Sequence, residues 1–440
     1  MSMKRVGMKK VPDSAAAIIG KHVDAEELSD LALRLANVYS PAGHEQAMAD
    51  TVLHWFEENR LSAYQQPILP DRANVVARLP GAGAGKSLIL NSHMDTEVSG
   101  PEYQWGMAAP DLNRLGSFRE DQRLFGHTVL NDRGLMATTM IALKALRDSG
   151  LSPKGDVIFT GVVGETGYAP VDEYQGLSYE GKGFGSRFLV AHGVRADYAL
   201  VAETTDFALS WIACGACYFK ISVSGRNIYT PRSFRPRDVR QNPNAIVKMA
   251  RVIERVEDWA HKYEESHSFD SPCGRVVPKV VIGALRGGIP YRPNRTSPHC
   301  AVYVDVRTVP GADLLKIQRE VEAAAAEAEV GAQVEMFLGR SGAEGRGVEP
   351  LAQEVRRSYK ALTGRDVPAK APTEVVSMWR DNNVFNSMGI PSLTFGCARR
   401  QEPNGGRPYF DIRDLVNTAI IYAEVAYSIC NQPQSMGDGS

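Results

Sequence analysis

The chain has 440 residues, 43% hydrophobic and 23% charged, which excludes a disordered or fibrous protein and leaves room for one to three domains. Fifty basic residues against fifty-one acidic ones give a net charge of −1, so no broad grip on nucleic acid or an anionic membrane is expected. The start MSMKRVGMKK is basic, but the following AAAIIG is too short for a signal-peptide core. No stretch reaches the roughly 18 apolar residues of a membrane span, and six scattered cysteines suit a reduced cytoplasm.

In chain order, 24–39 reads as a helix opened by a D-x-x-E capping box at Asp24 and Glu27, with Leu28, Leu31, Leu35 and Val38 at helical spacing. SLIL (87–90), VIFTGVV (157–163) and YALVA (198–202) are buried-strand patterns, and a helix over 133–149 closed by Gly150 lies between the first two. Apolar strands separated by helices predict a mainly parallel sheet flanked by helices, an α/β fold. From 209 the style changes. The alternating CYFKISVSG (217–225), a helix at 243–263, VVIGAL (280–285), CAVYVDVRT (300–308) and a helix at 313–329 predict an inserted α+β, ferredoxin-like lid over 209–332. The first domain then comprises 1–208 and 333–440, with a strand at 391–395, a last helix at 411–430 and a disordered tail from 432. Cys214 and Cys217 form a C-x-x-C with no second ligand pair, and read as packing.

Chemistry in such sheets collects at the carboxyl ends of strands, where His93, Glu165 and Glu203 fall. His93-Met94-Asp95 puts an imidazole at a strand end with a carboxylate that orients it or its neighbours. Histidine with carboxylates suits zinc or manganese.

These residues carry a family resemblance. NSHMDT (91–96), GHTVLNDRGLMAT (126–138), AETT (202–205), Asn244-Ala245-Ile246 and Asn294 thirteen residues before Arg307 in DVR keep the order and spacing of a metal-dependent hydrolase family. It is the family of aminoacylases, glutamate carboxypeptidase and acetylornithine deacetylase–desuccinylase, and the resemblance covers roughly 25–430. It implies a catalytic domain with an inserted lid that mediates a homodimer. It also implies hydrolysis of C–N bonds in small acylated amino acids or peptides by metal-activated water, and a lid clamp, Asn294 and Arg307, for a substrate carboxylate.

The departures gather at the metal site. The bridging aspartate aligns with Asn131, next to Asp132; the paired glutamates, base then ligand, become Gly164 and Glu165; the lid histidine becomes Tyr229. The C-terminal histidine of the second metal site aligns with Asn404, and none of the nine histidines lies beyond 299. The expected site is therefore mononuclear. One divalent ion, manganese or zinc, is held by His93, Glu203 and an oxygen of Asn131 or Asp132. Glu165 is the base, Asp95 orients the His93 ring or its neighbours, Tyr229 and Arg380 donate to developing negative charge, and Arg307 with Asn294 binds the carboxylate. The most specific reading is an ammonia-releasing aromatic aminohydrolase, as in the family's nitroanthranilate branch. The alternatives are a two-metal amidohydrolase, dipeptidase or deacylase using Glu402 or Asn404, and a non-catalytic binding protein.

Overall fold

A computed structural model describes residues 14–96 and 116–434, which leaves residues 1–13, 97–115 and the tail from 435 outside the described part. Its centre is a six-stranded sheet in the order Ala63–Leu69, Arg72–Leu79, Val157–Val162, Leu88–His93, Tyr198–Val201, Ser392–Thr394. The last four run parallel, and the first two add an antiparallel hairpin at one edge. Every residue of the Leu88–His93, Val157–Val162 and Tyr198–Val201 strands is buried, because helices cover both faces.

One face packs on Ala25–Ala36, Gln46–Glu58, Gly134–Asp148 and Ile412–Cys430; the other packs on Phe184–Ala191 and Asn382–Ser387. The expected cap at Asp24 forms, accepting from Glu27 N at 2.8 Å, and the structure adds caps at Asn244 (Ile246 N, 3.1 Å) and Asp411 (Arg413 N, 2.9 Å).

The lid is a four-stranded antiparallel sheet ordered Val280–Gly287, His299–Thr308, Gly215–Ser224, Gln333–Arg340, the ferredoxin-like arrangement. Helices Ala245–Ser266 and Leu314–Ala326 cover one face of it. Its fourth strand lies beyond the expected boundary at 332, so the lid runs to Arg340. The alternating QVEMFLGR is an edge strand that only its pairing to Gly215–Ser224 makes evident. Cys217, Phe219, Ile221 and Val223 point to the lid helices, and Tyr218 and Lys220 alternate to the opposite face. No helix among the described residues is long and apolar enough to cross a membrane.

Candidate active site

The carboxyl ends of the parallel strands open into a cavity of about 480 Å³ that His93, Asn131, Asp132, Glu165, Glu203 and Arg380 line from the catalytic domain and Arg307 lines from the lid. His93 ends its strand and is 2% exposed. Its Nδ1–H donates to the Asp95 carbonyl at 2.9 Å, which turns Nε2 to the cavity, 3.6 Å from Asp132 Oδ2. Buried Arg133 holds this strand end by donating to the carbonyls of His93 (3.0 Å) and Met94. In the irregular turn Val129–Arg133, Asn131 and Asp132 leave helical geometry (φ −130°, ψ 77° and φ −127°, ψ 39°) before helix Gly134–Asp148 begins. Thr204 Oγ1 donates to Asp132 Oδ1 at 3.2 Å.

Asp95 is wholly buried. It accepts from Glu165 N (3.0 Å), Thr166 N (2.8 Å) and Thr166 Oγ1 (2.6 Å), so it fixes the turn that carries Glu165. Burial alone would raise its carboxyl, but His93 and these donors outweigh burial and hold it well below the usual range. Burial, and then the neighbouring Glu203, push the Glu165 carboxyl well above that range. Burial takes Glu203 up to about 7 against the pull of Arg380, with Asp132 adding to the rise. Two neighbouring buried acids both shifted upward are the kind of perturbation that clusters at functional clefts. Arg380 is 2% exposed, donates to the Thr204 carbonyl at 3.0 Å, and places Nε 3.3 Å from Glu203 Oε2.

Asn294 and Tyr229 are not brought to this cavity. Both are exposed in adjoining lid loops, where Thr230 N donates to the Asn294 carbonyl at 2.9 Å, and the Asn294–Arg307 pair does not converge within one chain. Arg307 does line the cavity, bonded to Asp305 Oδ2 at 2.8 Å. The two substitute ligands named for the two-metal alternative lie away from the cavity. Asn404 is exposed, Glu402 is bonded to Arg407 at 3.0 Å, and neither lines the cavity.

Gly164 stands at φ +63°, where an added Cβ would lie 2.6 Å from Arg72 Nη2 and 2.8 Å from the Glu180 carbonyl. Cys214 and Cys217 are buried, their thiols pushed up by burial, which makes them packing residues.

Several lining residues are not singled out by the sequence, among them Asp206, Arg399, His127 and Lys182. His127, in GHTVL, carried a weak signal as a histidine four positions before Asn131. Lys182 carried none, since one lysine between glycines after a 16-residue gap from Glu165 looks like any loop.

Among the described residues, no three His, Cys, Asp or Glu side chains are gathered into a ready cage for a metal ion. The donor atoms nevertheless suit one cation: His93 Nε2 faces the cavity, Asp132 Oδ2 lies 3.6 Å from it, and Glu203 Oε1 is buried without a hydrogen-bond partner.

Residues 89–428 match the sequence model of peptidase family M20/M25/M40. The chain belongs to this family. It is therefore a hydrolase acting on C–N bonds, which sets the non-catalytic reading aside. An M20 relative, the N-formyl-4-amino-5-aminomethyl-2-methylpyrimidine deformylase of Bacillus subtilis, is 21% identical over 92% of this chain and 95% of its own length. Human carnosine dipeptidase 1 shares the fold with a TM-score of 0.70 at 12% identity, covering 96% of this chain and 100% of its own. An M20 family metallo-carboxypeptidase of Sulfolobus solfataricus does so with 0.64 at 13%, covering 92% and 99%.

Proposed function

We propose that this M20 chain hydrolyses an amide-type C–N bond in a small carboxylate-bearing substrate, using one divalent cation, zinc or manganese, and Glu165 as general base. The observation that carries this reading is Glu165 itself, a buried carboxyl in the cavity beside three cation-ready donor atoms. His93, Asp132 and Glu203 would hold the cation, which supplies Lewis-acid polarisation and eases deprotonation of water. Glu165 takes the proton of the attacking water and, with its raised affinity for protons, returns it to the departing nitrogen. Asp95 keeps Glu165 in place, Arg380 offers donors to the developing negative charge, and Arg307 meets the substrate carboxylate. The deformylase named among the relatives supports amide cleavage. Aromatic deamination rests on the altered donor set alone, with Asn131 at the bridge position, and enters the test as a second substrate class.

The test is to strip divalent ions, add back manganese or zinc, and assay N-formyl and N-acyl amino acids alongside ammonia release from 2-aminobenzoates. One equivalent of metal per chain should restore turnover, and Glu165→Gln should lower kcat by about 10²- to 10⁴-fold. A requirement for two equivalents, or full activity of the variant, overturns the reading.

A homodimer through the lid is part of the proposal. Its edge strand Val280–Gly287 exposes Val281 and Leu285, flanked by exposed Ile246, Ile289 and Tyr291. Six unpaired buried thiols support a cytoplasmic setting.

A further inference from the structure

Lys182 is a buried cation whose role the site chemistry above does not use. It is 5% exposed and lines the reaction cavity with Glu165 and Arg307. It lies at the end of the 167–183 segment, just before helix Phe184–Ala191, in left-handed backbone (φ +49°). Among the described residues its ammonium has no hydrogen bond or ion pair, whereas the other cavity-lining basic groups near it are engaged: Arg307 with Asp305 at 2.8 Å and Arg380 with Glu203 at 3.3 Å. Gly167 leaves room for it: a Cβ there would stand 3.7 Å from Lys182 Nζ and 3.1 Å from Tyr218 Oη, so the ammonium and this hydroxyl converge over one glycine.

A buried ammonium without a partner is costly, and the cost falls away when an anion enters. Asp305 already compensates the Arg307 guanidinium, whereas among the described residues no carboxylate is bonded to the Lys182 ammonium; burial and then Arg307 disfavour its charge, and Glu165 supports it only through space. We propose that Lys182 is the substrate's anion anchor: its ammonium, with Tyr218 Oη beside it and Arg307 across the cavity, seats the carboxylate and so sets both the specificity and the position of the scissile bond relative to Glu165. This deepens the function proposed above and rests on its assignment of the cavity as the reaction site.

Two measurements separate the anchor from that assignment. The first is calorimetric titration of benzoate and benzamide into metal-loaded wild type, Lys182→Met and Lys182→Arg. Benzoate should bind wild type in preference to benzamide. Lys182→Met should weaken benzoate about 10- to 100-fold, the loss of one charge-assisted hydrogen bond, and leave benzamide unchanged; Lys182→Arg should recover part of the affinity. The second is turnover of whichever substrate is active. There Lys182→Met should raise KM by a similar factor with kcat changing far less. Thermal unfolding controls for folding, and the ligand-free Lys182→Met protein should melt no lower than wild type, since it loses an unpaired buried charge. Unchanged benzoate binding by a folded Lys182→Met, or a loss confined to kcat, overturns the anchor while leaving the hydrolase intact. Charge-dependent benzoate binding without C–N turnover keeps the anchor and removes the proposed reaction.

Discussion

Asp95 has no exposed surface, so its carboxylate acts on the reaction only through what it holds. It gathers two backbone N–H groups and one hydroxyl from Glu165 and Thr166, and lies 3.7 Å from His93 Nδ1. Asp95→Asn keeps the shape but turns half of an acceptor into a donor facing these N–H groups. Breaking such a buried charged network should cost about 2–4 kcal/mol, read from urea unfolding of the metal-free protein. Activity should fall further than stability explains, because the turn carrying Glu165 loosens. A cost below about 0.5 kcal/mol, the level of a surface change, would show that the turn is held elsewhere.

At the scale of elements, Arg72 is the post on which three segments meet. It opens strand Arg72–Leu79 and is fully buried. It grips Glu45, at the head of helix Gln46–Glu58, through Nε at 2.9 Å and Nη2 at 2.7 Å, and donates to the carbonyls of Leu177 (2.6 Å) and Glu180 (2.9 Å). Arg72→Met strands the Glu45 carboxylate and should cost about 3–5 kcal/mol, with part recovered in the Arg72→Met/Glu45→Gln double variant. Additive losses in that cycle would deny the coupling.

Arg72 also shows where the sequence runs out. The apolar runs 157–163 and 198–202 and the capped helices were legible because periodicity and cap chemistry are local. The polar-ended RANVVARL was not read as a strand, and nothing local tells that its first residue reaches across to a loop a hundred positions on. His93, Glu165 and Glu203 could be named from strand ends; Lys182 could not, since its place depends on that long-range hold.

For the whole molecule, the 167–183 segment joins the two halves. Arg72 holds it to the catalytic sheet, while Asp172 bonds Lys220 and Tyr303, and Glu173 bonds Arg286 at 2.6 Å, on the open face of the lid sheet. The outer edge of strand Val280–Gly287, with exposed Val281 and Leu285, is the margin on which the proposed second copy would sit. Leu285→Glu should convert a dimer to a monomer in sedimentation velocity without lowering the melting temperature of the catalytic domain; an unchanged sedimentation coefficient would place the dimer contact elsewhere.

The glycine at 164 is a condition of this arrangement, not a spare position in it. Any side chain there must pass through Arg72 Nη2 and the Glu180 carbonyl, and must also accept a left-handed backbone. Arg72 cannot swing aside, because Glu45 pins it. A glutamate restored at 164 alone would therefore be unfavourable before it could serve as a base. With Arg72 held in that place there is no room for a side chain at 164, and this turn presents a single carboxyl, that of Glu165, to the cavity.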